Sequence, residues 1–144
     1  MYEKHIIVGN LGRDPEMKFT ASTKAVTNIN VAVNDVYYVG DGESRRKVER
    51  TTWYRVAGWG NTAEAMNKWL KKGSLVLVEY KNQKVSPYLN NDGEPAASIE
   101  CTVQVIKFLK GTVNNGDGGA DDMVYTQEEA KEETLKSELR EMGF

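Results

Sequence analysis

The sequence predicts an all-β domain, a five-stranded Greek-key barrel with one helix, followed by a short acidic helical tail. Three observations predict it. Five segments of strand character fall before Gly111, one helical stretch interrupts them between the third and fourth, and a Gly- and Asn-rich run separates them from an acidic C-terminal piece.

Lys4 to Leu11 reads as the first strand. In the second, Ile29, Val31 and Val33 alternate with Asn28, Asn30 and Ala32, the period-two pattern of a half-buried strand. Thr51 to Trp59 and Ser74 to Val85 have strand composition, the latter nearly continuous in apolar residues at Leu75, Val76, Leu77 and Val78. In the fifth, Ile99, Cys101, Val103 and Val105 alternate with Ser98, Glu100, Thr102 and Gln104. The helix is expected to open at Asn61, with Glu64 three residues on as a capping box, and to close at Gly73 after Lys71 and Lys72. Its Ala65, Met66, Trp69 and Leu70 form a stripe suited to plugging one end of a closed sheet. Five strands with a helix between the third and fourth is the layout of an OB-fold. An immunoglobulin-like sandwich wants about seven strands and no such helix.

The chain of 144 residues fits one domain with an appendage. The expected organisation is a barrel over residues 1–111, a linker over 112–125 and an acidic amphipathic helix over 126–144. Cys101 and His5 are the single cysteine and histidine, so no internal disulfide, zinc or iron cluster and no cofactor are expected. The same scarcity argues against a Ser-His-Asp or Cys-His device. No Walker, nucleophile-elbow or zinc-protease motif occurs, so binding is expected rather than catalysis. No apolar run approaches the roughly 20 residues of a membrane span, and Met1 to Lys4 lack a signal-peptide core; a soluble, cytoplasmic protein without membrane partners is expected. The net charge of −2 divides into +4 through Gly111 and −6 beyond it, the asymmetry of a polyanion binder with an acidic appendage.

Candidate binding residues cluster. Period two places Trp53, Arg55, Ala57 and Trp59 on one face of their strand. The two indoles are separated by about 20 Å at about 3.3 Å per residue, so each can take a different base of an extended strand. The competing reading makes either indole core. Residues 35 to 50 hold Tyr37, Tyr38, a Gly40-Asp41-Gly42 turn, and Arg45, Arg46, Lys47 and Arg50. A second hairpin carries Lys81, Lys84, Tyr88 and an Asn91-Asp92-Gly93 turn. Interleaved aromatic and basic residues suit single-stranded nucleic acid, whose bases offer π-faces and whose backbone offers regular charge. Stacking is assigned to Trp53 and Trp59, with Tyr37, Tyr38 and Tyr88 as further aromatic candidates on the two hairpins. Phosphate contacts are assigned to Arg45, Arg46, Lys47, Arg50, Arg55, Lys71, Lys72, Lys81 and Lys84. A protein-interaction or primosome-accessory module is the alternative.

The segment from Lys4 to Pro15, KHIIVGNLGRDP, resembles the opening of the bacterial and mitochondrial single-stranded DNA-binding protein family. The resemblance continues through Thr52-Trp53-Tyr54-Arg55-Val56, Trp59-Gly60, Trp69-Leu70-Lys71-Lys72-Gly73-Ser74 and Val78-Glu79. It implies an OB-fold that usually tetramerises, single-stranded DNA as partner, roles in replication, recombination and repair, and stacking at Trp53, Trp59, Tyr37 and Tyr88. The chain departs from the family in having tyrosines at 37 and 88 where tryptophan is usual, and Tyr80 where glycine is usual. Its end, Ser137 to Phe144, lacks the family's run of aspartates and proline, which would suit a phage or plasmid member. A helix is expected from about Gln127 to Met142, opened by Thr126 with Glu129. Its Leu135, Leu139 and Met142, with Phe144, are assigned to recruiting replication or repair proteins.

Overall fold

The computed structural model describes residues 1–109 and 124–126. The expected tail helix, with Leu135, Leu139, Met142 and Phe144, lies outside the described residues. Among the described residues seven strands and one α-helix follow in order: β1 (His5–Leu11), β2 (Glu16–Phe19), β3 (Ala25–Val39), β4 (Arg46–Trp59), α1 (Gly60–Trp69), β5 (Leu75–Leu89), β6 (Pro95–Phe108) and β7 (Val124–Thr126), with a 3-10 turn at Gly42–Ser44.

β1, β5, β6, β4 and β3 pair in that order, and β3 returns to β1 at Asn10–Ala32 and Leu11–Val31. This is a closed five-stranded OB barrel, with α1 between its third and fourth strands as expected. The closing contact is close: a Cβ at Gly9 would collide with the Ala32 carbonyl oxygen. Inside, alternate residues of each strand meet in one core, among them Ile7, Leu11, Ile29, Val31, Val56, Val76, Val78, Val103, Ile106 and Phe108.

α1 plugs one end with Ala65, Met66 and Leu70, the apolar stripe read from the sequence. It is pinned from within by a buried bond in which Thr27 Oγ1 donates to the Ala63 carbonyl at 2.6 Å. Its start differs from expectation. The helix opens at Gly60, one residue before Asn61, and its N-cap is the extended Trp59, whose side chain makes no capping bond, because β4 runs directly into it. It also ends earlier, at Trp69; Lys71 to Ser74 form a turn tied to the end of β1, where Gly73 N–H donates to Leu11 O (2.8 Å) and Leu11 N–H to Ser74 O (2.9 Å).

Two strands were not expected. β2 is only four residues, too short to display a period, and pairs with β3 from Glu16–Asn28 to Phe19–Ala25. β7 spans the end of the expected linker and the first residue of the expected tail helix, and pairs antiparallel with β6 at Val105 to Lys107, where β4 no longer covers that edge. Three residues returning to a sheet after a Gly-rich run leave no periodic signature.

Tyr80, the departure noted in the sequence, is 4% exposed. It stacks on His5 (ring centroids 5.0 Å, planes 9° apart), leans on Tyr54 (5.8 Å) and donates its hydroxyl to Gln83 Oε1 at 2.8 Å. The β5–β6 register shifts between Glu79 and Tyr80, a bulge at the position of this buried ring.

Burial pushes the Tyr80 hydroxyl up from 10.0 to about 12 and the Cys101 thiol up from 9.0 to about 12. The unfolded chain releases both protons first, so stability is expected to hold below pH 9 and to fall as pH rises towards 12. Urea midpoints across that range measure it, and Tyr80→Phe should flatten the decline above pH 10. A wild-type midpoint constant to pH 12 would contradict the burial argument.

Candidate nucleic-acid interface

The interface starts from a seam. β4 and β6 run parallel and pair over only four rungs, Tyr54–Ile99, Arg55–Glu100, Val56–Cys101 and Ala57–Thr102. Because they are parallel, their N-terminal halves leave the barrel at the same end. β3 and β4 continue there as a two-stranded ribbon to Val39–Arg46, and β5 and β6 as a second ribbon to Leu89–Pro95. α1 lies at the opposite end, beyond Trp59.

Between the ribbons the outer face of the seam is concave. A cavity of about 590 Å³ is lined by Gly12, Arg13, Asn30, Trp53, Arg55 and Tyr88, with Ser86, Asn91 and Ser98 along its far wall and Glu100 beside Arg55 on the seam that floors it. A second, of about 450 Å³, continues towards α1 past Asn28, Arg55, Ala57, Asn82, Lys84, Glu100 and Thr102. Arg55 and Glu100 belong to both, so the two form one groove along β4.

Alternation holds as read: Val56 and Gly58 are buried, while Trp53 and Arg55 are exposed and Ala57 and Trp59 half-buried. Trp53 keeps 37% of its surface open. Its ring lies against the turn after β1, where a Cβ on Gly12 would sit 2.6 Å from the indole. Next to it, the Arg13 guanidinium donates from Nε (3.1 Å) and Nη2 (3.2 Å) to the side-chain oxygen of Asn30. A half-seated ring with one open face is ready to stack at small entropic cost.

The structure brings Trp53, Tyr88, Arg55 and Lys84 together in the groove. It does not bring in Trp59, which lies at the α1 end with the Lys24 ammonium 5.5 Å from its ring centroid. Tyr37 pairs with Val48 and falls on the ribbon face opposite Trp53, whereas Tyr38, paired with Lys47, falls on the same face. Arg45 stacks over Tyr38 at 4.4 Å. Lys47 meets Glu49 at 2.7 Å, holding that carboxyl below its ordinary range, and Arg50 meets Asp35 at 3.4 Å. These exposed pairs are screened and exchangeable. Arg46 and Lys81 are exposed. Lys71 and Lys72 sit in the turn beside Asp14, whose Oδ1 accepts from Lys72 N–H at 2.8 Å, next to Arg13 but outside the groove lining.

Sequence reasoning did not single out Arg13, Asn30, Ser86, Ser98 and Glu100, which line the groove, and it could not choose between Tyr37 and Tyr38. Tyr38 needed the hairpin register, which fixes ribbon parity. Arg13 carried a local signal, a cation between Gly12 and the Asp14-Pro15 turn, but its neighbours come from β3.

Barrel and groove together define an OB-fold protein with an aromatic and basic binding face. Residues 2–109 match the Single-strand binding protein family, and the chain belongs to that family. It is 34% identical over 117 residues to a single-stranded DNA-binding protein of Neisseria meningitidis serogroup A, covering 81% of this chain and 64%, just under two thirds, of that protein. It is 33% identical over 124 residues to single-stranded DNA-binding protein 1 of Chlorobaculum tepidum, covering 86% and 74%. Among solved structures, a Plasmodium falciparum SSB in complex with ssDNA superimposes with a TM-score of 0.58 at 19% identity, covering 76% of this chain and 96% of that one; at that identity the likeness is one of fold.

Gly12→Ala is expected to lift the Trp53 indole off its seat. Near-UV circular dichroism should change while the far-UV spectrum does not. Identical near-UV spectra would show that the ring is not held by this contact.

Proposed function

We propose that this protein binds single-stranded DNA without a required recognition sequence, protecting it during replication, recombination and repair. The observation that carries the reading is the groove along β4, where Trp53 and Tyr88 offer open aromatic faces beside Arg13, Arg55 and Lys84. Bases stack on the rings and the sugar–phosphate backbone follows the cations. The strand then runs out along the ribbons, where Tyr38 with Arg45, and Arg46, Lys47 and Arg50, supply further contacts. Trp59 and Tyr37 would extend the path at the barrel's α1 end and on the ribbon's other face. Lys71, Lys72 and Lys81 add charge around the groove. The role is binding rather than catalysis, and we place it in the cytoplasm, at the DNA of a cell or of a phage-infected host.

Oligomerisation has its own surface. Ile6 and Val8 are exposed on β1, beside half-buried Leu75 and Leu77 on β5. This apolar strip suits pairing with a second copy, and a tetramer is the family's usual state by resemblance. The acidic stretch beyond Thr126 would recruit replication or repair proteins through Leu135, Leu139, Met142 and Phe144.

Titration with oligo-dT is expected to quench tryptophan fluorescence strongly, and duplex DNA is not. Trp53→Ala should cost about 1–3 kcal/mol of affinity with the fold intact. Charge-neutralising variants of Arg13, Arg55 and Lys84 should flatten the slope of log K against log salt by about 0.7 for each phosphate no longer neutralised. Absence of binding to oligo-dT would favour a protein-interaction role. For the assembly, Ile6→Lys with Val8→Lys should yield a smaller species by light scattering; an unchanged mass would move the interface elsewhere.

A further inference from the structure

Glu100 is out of place in a groove built for a polyanion. Its carboxylate sits on the seam itself, opposite Arg55 on β4 and opposite Lys84 on β5, and lines both cavities. The side chain is half-buried. Among the described residues it makes no ion pair within 4.0 Å, and the four pairs present all lie elsewhere. Neither does it accept a hydrogen bond. Among the described residues it is therefore an acceptor without a donor, on the floor where stacked bases would cover it.

We propose that Glu100 reads base edges, favouring bases that present N–H donors, guanine above all, over thymine at the position beside Trp53. This rests on the single-stranded DNA reading above. A carboxylate on the floor repels phosphate, so the backbone keeps to the cationic walls and the base edge turns inward. A base that covers Glu100 strips its water, and leaving it unpaired is then costly. Guanine offers N1–H and N2–H side by side, a two-point match to a carboxylate. Cytosine and adenine offer one exocyclic amine. Thymine offers a single N3–H flanked by two carbonyl oxygens, which face the carboxylate unfavourably. Asn28, Asn30, Asn82, Ser86 and Ser98 around it carry both donors and acceptors, so Glu100 supplies the polarity that discriminates.

The test is a cycle of residue against base in the full-length protein. Wild type and Glu100→Gln are titrated with an oligo-dT and with the same oligomer carrying isolated guanines, spaced too far apart to self-associate. The ratio of the two affinities is compared between proteins, which removes any intrinsic preference arising from stacking or strand stiffness. The guanine-to-thymine ratio is expected to be about fivefold or more higher in wild type than in Glu100→Gln, the low end of a two-point base contact. Replacing guanine by inosine, which lacks the N2 amine, should remove part of that difference. If Glu100→Gln binds both oligomers more tightly by the same factor, Glu100 only offsets Arg55 and Lys84, and the proposal is overturned. If neither protein binds either oligomer, the single-stranded DNA reading fails and takes this one with it.

Discussion

The four parallel rungs between β4 and β6 are the constraint on which the rest of the molecule depends. They join the β1–β5–β6 and β4–β3–β2 halves of the sheet, whose other junction is the two rungs between β1 and β3. Were β4 and β6 antiparallel, their free halves would leave the barrel at opposite ends. Parallel pairing sends both ribbons out together and leaves α1 to fill the other end. The groove, its aromatic faces and its cations all follow from that choice of direction.

The seam also explains why the site is part rigid and part adaptable. Trp53, Arg55 and Glu100 stand on strands whose opposite face is the closed core, with Val56, Cys101 and Val103 beneath them. Their backbones move only if the barrel opens. The ribbons have no such backing: an isolated two-stranded sheet is marginal in water, and residues 34 to 47 are almost all exposed. Their charges are held in exposed surface pairs such as Lys47–Glu49 and Arg50–Asp35, which solvent screens.

Much of this was legible in the sequence. The five barrel strands, the helix and the outward face of Trp53, Arg55, Ala57 and Trp59 are consequences of local period, and local period is what a sequence displays. What was hidden depended on pairing between distant segments. Tyr38 rather than Tyr37 shares the Trp53 face because β3 meets β4 at Ala32–Trp53 and Tyr38–Lys47, and parity through a turn cannot be counted until the turn length is known. Arg13, Ser86, Ser98 and Glu100 reach the groove from three other strands or turns. β2 and β7 were too short to show a period. Trp59 looked equivalent to Trp53, yet it stands at the start of α1 under Lys24, because the strand that presents it also has to deliver the chain into the helix.

A seat of this kind also sets how binding energy is divided. Trp53 already rests one face on the Gly12 turn, so stacking a base on the other orders little that was free. The ribbons, exposed and charged, lose more freedom on binding but exchange one set of ion pairs for another. In the proposed binding mode affinity for any base sequence would come from rings and cations, which every nucleotide satisfies. Discrimination in that mode falls to the few polar groups on the floor that stacking would cover and cannot itself satisfy, and Glu100, opposite Arg55 and Lys84, is such a group.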